Sequence, residues 1–72
     1  MEGRIVKISG SVVDVEFTGT LPKIEDALIV DLNGKDLYME VAQHIGDNRV
    51  RCIMLDSADG LAKNMPVKAT GS

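Results

Sequence analysis

Cys52 and His44 are the two side chains with the strongest claim to nucleophilic chemistry in this chain. They fall on runs that can pair as neighbouring strands, and a thiolate beside an imidazolium is an activated nucleophile. The residues around them argue otherwise. Cys52 shares its strand face with Val50 and Met54, which buries the thiol and makes it a small inert apolar group. His44 sits at a strand end next to a turn, where a ring faces solvent. One Cys and one His cannot supply a zinc site. The run Asp56-Ser57-Ala58-Asp59-Gly60 has the outline of a calcium loop, but Ala58 stands at its third position and no Glu follows at the required distance. It reads as a capped turn. Gly34-Lys35 is followed by Asp36 and has no Gly five residues upstream, so it is not a phosphate-binding loop. Asp14 and Glu16 on one strand, and Asp36 and Glu40 on another, read as solvated faces rather than an acid–base pair. No catalytic, cofactor-binding or metal-binding residue is assigned.

Arg49 and Arg51 remain. They project from one face of one strand. Two arginines so placed suit either phosphate or carboxylates on a neighbouring strand or subunit. The balance of charge decides between these readings. The net charge is −3 and no basic stripe extends beyond the pair, which favours the structural or interface role over nucleic acid. There is one Phe, one Tyr and no Trp, so the stacking platform used by single-strand binders is missing. That leaves an oligonucleotide-binding small barrel as the weaker functional alternative.

The elements that would hold these residues are short. Seventy-two residues allow one domain over 1–72 with a small core, built mainly from Val, Ile, Leu and Met. The lone Cys rules out an internal disulfide. No apolar run approaches a membrane span and the first residues lack signal-peptide character, so a cytoplasmic location is expected.

The dominant period is two, the period of strands. A first strand covers 4–8 and ends at Ser9-Gly10. In the second, Val13, Val15 and Phe17 face one way and Val12, Asp14 and Glu16 the other. A loop with Pro22 follows, and residues 23–27 have room for a helical turn. Leu28, Val30 and Leu32 define the inner face of the next strand. Asn33-Gly34 is the strongest hairpin signal, since both residues tolerate positive φ. The returning strand runs over 35–43 with Leu37, Met39 and Val41 inward, and 45–48 form a second tight turn. The strand 49–55 contains four consecutive apolar residues from Cys52 to Leu55, which implies burial on both faces, one against the core and one against something else. A last strand lies near Val67 and Lys68, and residues 69–72 read as a small polar tail. Five or six short strands without a convincing helix make an all-β chain, a small antiparallel barrel or sandwich. Closure is favoured because it removes exposed edges.

Glu40-Val41-Ala42-Gln43-His44-Ile45-Gly46-Asp47-Asn48-Arg49-Val50-Arg51, continued by Asp56-Ser57-Ala58-Asp59-Gly60-Leu61, resembles a segment of the F-type ATP synthase β subunit. Gly3-Arg4-Ile5-Val6, Val12 to Phe17, Leu21-Pro22-Lys23-Ile24 and Asp26-Ala27-Leu28 are similar to the opening of the same subunit. The likeness runs in register over nearly the whole chain. It departs at Cys52-Ile53-Met54 and at Lys63-Asn64-Met65-Pro66. It implies a closed six-stranded antiparallel barrel, Greek-key-like, with an assembly role beside neighbouring ATP synthase α subunits. It places the nucleotide and magnesium sites in domains outside this sequence, and the parent on the cytoplasmic side of a bacterial membrane, or the matrix or stromal side in organelles. A ring of alternating subunits needs two distinct patches on each barrel. Arg49, Arg51, Ile53 and Leu55 are the expected inter-subunit contact. An alternative, compatible with this reading, is a barrel isolated or redesigned for folding studies, which the stand-alone length and the Gly71-Ser72 ending would suit.

Overall fold

A computed structural model describes residues 2–72. Six strands, β1 (Glu2–Ser9), β2 (Val12–Phe17), β3 (Ala27–Leu32), β4 (Lys35–Gly46), β5 (Arg49–Met54) and β6 (Pro66–Ala69), close into a barrel. Every pairing is antiparallel, in the order β1-β2-β5-β4-β3-β6. Hairpins join β3, β4 and β5, and β6 returns by a long connection to lie beside β3. That is a Greek key. No helix occurs among the described residues. β6 is only four residues long, yet it pairs with both β1 and β3 and so removes the last open edge.

Alternation sends one set of side chains inward. Ile5, Val13, Val15, Phe17, Leu28, Val30, Leu37, Met39, Val41, Val50, Cys52, Met54 and Val67 make the core. All the inward residues expected of β2 and β4 are buried, as are Leu28 and Val30 on β3, while Leu32 is half-buried at the barrel end. The two hairpin tips share one device. Asn33 and Gly34 have φ of 54° and 89°, and Asp47 and Asn48 have 53° and 62°, so both turns have the twist that matches paired strands. The Gly34 N–H also donates to Asp31 Oδ1 at 2.8 Å.

The structure moves several boundaries. β1 is longer than expected at its start because Glu2, Gly3 and Arg4 find partners on β6. β4 runs on to Gly46, and Ile45 and Gly46 belong to the strand rather than the turn. Two irregularities in its ladder with β5, between Val41 and Gln43 and between His44 and Gly46, absorb the extra residues. Residues 23–26 form a β-turn, not a helical one. The Asp26 N–H donates to the Lys23 carbonyl, its carboxylate accepts the Lys23 N–H, and Glu25 takes φ of 77°. The tail continues the sheet: the Ala27 N–H donates to the Ser72 carbonyl at 2.9 Å and the Thr70 hydroxyl to the Ala27 carbonyl at 2.7 Å.

Gly3 is required by space rather than by φ. It stands opposite Phe17, and a methyl group there would lie 2.7 Å from the Glu16 carbonyl oxygen and 2.9 Å from Val15 Cγ1. Backbone cannot yield as a flexible side chain does. Gly3→Ala is therefore expected to cost about 1–3 kcal/mol, the range for overpacking a filled site. Urea unfolding would check it, and an unchanged midpoint would show that β1 shifts freely.

Candidate functional site

The outer surface of β1, β2 and β5 is organised in rows across the strands. Arg4, Glu16 and Arg49 stand in one register row, Lys7, Asp14 and Arg51 in the next, and Ser9, Val12 and Ile53 in a third. A bulge makes the second row possible. Ile5 points inward, so Lys7 would follow it in a regular strand. The register slips between Ile5 and Lys7, which re-aims the lysine outward, opposite Asp14.

Each of the first two rows places an acid of β2 between cations of β1 and β5. Arg51 holds Asp14 through both carboxylate oxygens, Nε to Oδ1 at 2.9 Å and Nη2 to Oδ2 at 3.0 Å. This is the strong, bidentate form of the pair. Glu16 is shared by Arg4 at 2.9 Å and Arg49 at 3.4 Å, and Arg4 also donates to Asn64 Oδ1 at 2.7 Å. The arginines thus pair with carboxylates on a neighbouring strand, one of the two arrangements their spacing suits.

Asp14 departs from the solvated role expected of it. It is only 5% exposed. It lies on the middle strand of the three, opposite Lys7 on one side and Arg51 on the other, and lines one surface depression with both. The hydrogen bonds from Arg51 outweigh its burial, and with the nearby charges of Arg51, Lys7 and Arg49 they hold its carboxyl below the usual range. Glu16 remains half-exposed.

The thiol and the imidazole are kept apart in role. Cys52 is fully buried in the core, and burial first, then the charge of Asp14, pushes its thiol up to about 12. A thiol so held does not ionise near neutrality and is no nucleophile. The His44 Nε2–H donates to the Pro22 carbonyl at 2.7 Å, tying the loop after β2 to β4. Asp56 to Gly60 form turns: the Asp59 N–H donates to Ser57 Oγ, and Leu61 N–H to the Ala58 carbonyl. No cluster of three metal-ligating side chains occurs among the described residues.

The apolar run Cys52 to Leu55 resolves into simple alternation. Cys52 and Met54 enter the core, while Ile53 is 41% and Leu55 63% exposed. Arg49, Arg51 and Ile53 project outward along β5, and Leu55 follows just beyond its end. Ile24 and Tyr38 are the other exposed large apolar side chains among the described residues, and both belong here. Ile24 and Ile53 line one shallow depression with Glu25, Glu40 and Ala42. Tyr38 lies beside Leu55, whose N–H donates to the Tyr38 carbonyl at 3.0 Å. Tyr38 was legible, since it has outward parity between Leu37 and Met39. Ile24 sits in an aperiodic loop that gives no such signal.

The site is therefore a surface, with ion-paired rows on one side and an apolar patch on the other, and the described residues bring no acid–base pair together. A family model, the ATP synthase alpha/beta family beta-barrel domain, matches residues 5–71. The closed six-stranded barrel fits that domain, and the chain belongs to the ATP synthase alpha/beta family as its N-terminal β-barrel domain.

Proposed function

We propose that this barrel belongs to a β subunit and serves assembly, packing between neighbouring α subunits in the alternating hexamer of a proton-driven ATP synthase. The β assignment rests on the segment Glu40 to Arg51 and its continuation through Leu61. In this reading ATP, ADP and magnesium bind a domain outside this sequence, and the parent enzyme works at the cytoplasmic face of a bacterial membrane or its organellar equivalent.

The observation that carries the assembly role is the uncovered patch of Ile24, Tyr38, Ile53 and Leu55 on one side of a barrel whose core is otherwise well filled. Large apolar side chains grouped on a surface mark a contact. Ile53 and Leu55 are better probes of that contact than the arginines, because changing Arg51 also strips a nearly buried Asp14 of its partner.

The test is association of this chain with the α subunit of the same enzyme, followed by analytical ultracentrifugation. Leu55→Asp is expected to weaken it about ten-fold or more, the effect of putting a charge into a desolvated contact, with the barrel still folded because Leu55 faces outward. Undiminished binding by Leu55→Asp and Ile53→Asp would overturn the reading.

A further inference from the structure

The charges around the apolar patch specify its partner further. Glu25 and Glu40 line the depression between Ile24 and Ile53, and Asp56 directly follows Leu55. The ion pairs among the described residues are Arg4–Glu16, Arg49–Glu16 and Arg51–Asp14. None of the three rim carboxylates takes part in them. Arg51, the nearest cation along β5, is already held by both oxygens of Asp14. The patch is thus apolar at its centre, with rim carboxylates that make no ion pair among the described residues.

That rim discriminates between occupants. A second copy docking by a two-fold axis would set the same surface against itself. The acidic rim of one copy would then lie against the acidic rim of the other across a drying contact, and like charges so placed oppose association. A different surface, apolar in the middle and carrying Lys or Arg around it, gains on both counts.

We infer that the patch of Ile24, Tyr38, Ile53 and Leu55 takes a neighbouring subunit whose docking surface is apolar-centred and cation-rimmed, and that its acidic rim rejects a symmetric second copy of this chain. The inference rests on the assembly reading and adds the chemistry of the partner. Rim charges act chiefly on encounter and register, so the effect depends on salt.

The experiment measures binding of the α subunit to the wild-type chain, to Glu25→Lys/Glu40→Lys and to Asp47→Asn, at low and high salt. Asp47 is the control because the tip of the β4–β5 hairpin lies at the opposite end of both strands from Tyr38 and Leu55, and Asn tolerates its positive φ. The double reversal is expected to weaken binding about ten-fold at ~20 mM salt, with the difference shrinking at ~0.5 M as screening sets in. Asp47→Asn is expected to bind as wild type. Equal or tighter binding by the double reversal overturns the inference while leaving the assembly reading in place. No binding by the wild type overturns the assembly reading and the inference together. Sedimentation of the chain alone supplies a second readout. A wild-type dimer dispersed by Leu55→Asp would show symmetric self-docking on this patch and would also overturn the inference.

Discussion

Phe17→Ala is expected to unfold a large part of the population at 25 °C. Phe17 is 1% exposed and is the largest fully buried side chain. The rest of the core is Val, Ile, Leu, Met and one Cys, so no second ring exists to lean into the space it leaves. The wall beside it is fixed as well. Gly3 stands opposite, and the Phe17 ring approaches to 3.0 Å from where a Gly3 methyl would be. Ring and glycine are one fitted pair, and removing the ring leaves a cavity that the closed barrel cannot collapse around. Losses for such truncations are about 3–5 kcal/mol. A single core in a chain this short supplies a similar amount, roughly 3–5 kcal/mol. Urea unfolding followed by circular dichroism is the check. The midpoint is expected to fall by about 3 M or more, given a slope near 1 kcal/mol/M for a small domain. Phe17→Leu, which keeps most of the volume, is expected to lose markedly less. A small shift for Phe17→Ala would mean that the strands close in around the vacancy.

The position of Phe17 was legible because it depends on period alone. Val13, Val15 and Phe17 share a face whatever they pack against, and the same holds for Leu37, Met39 and Val41. The Asn33-Gly34 turn was legible for an equally local reason, the positive φ demanded of two adjacent residues. Cys52 followed from its neighbours Val50 and Met54. What escaped the sequence depends on pairing between distant segments. The bulge that turns Lys7 outward is a property of the β1–β2 register, not of β1. β4 overran its expected end because β5 offers partners as far as Gly46. Ile24 joined the patch only because the loop after β2 folds against β4, where the Glu25 N–H donates to the Val41 carbonyl at 2.7 Å. Alternation placed Ile53 and Leu55 outward once the strand was in register, yet no local pattern revealed that Tyr38 and Ile24 would stand beside them.

Asp14 is the clearest case of this limit, and it carries the second large prediction. Its alternation with Val13 and Val15 points it outward, and outward usually means solvated. Here it is only 5% exposed on the middle strand, and Arg51 satisfies it with two hydrogen bonds. Because its folded pKa is depressed below the ordinary value of 3.8, its stabilising contribution is fully present above that value. The contribution is lost as pH falls from there through the lower folded pKa. Asp14→Asn should therefore flatten the acid limb of the stability profile below about pH 4 and leave the slope near neutrality unchanged. Arg51→Met is the harsher change at pH 7, since it leaves a nearly buried carboxylate without its main donor. Its urea midpoint is expected to fall by about 1–2 M, the largest loss for an outward-facing residue of this barrel. The double variant Asp14→Leu/Arg51→Met removes both charges and the need to satisfy either. Replacing a shielded ion pair with apolar groups of similar size is often neutral, so the double variant is expected to regain most of what Arg51→Met loses. Losses that simply add across the two positions would show instead that each side chain contributes through its own packing, and that the pair itself does not hold β2 to β5.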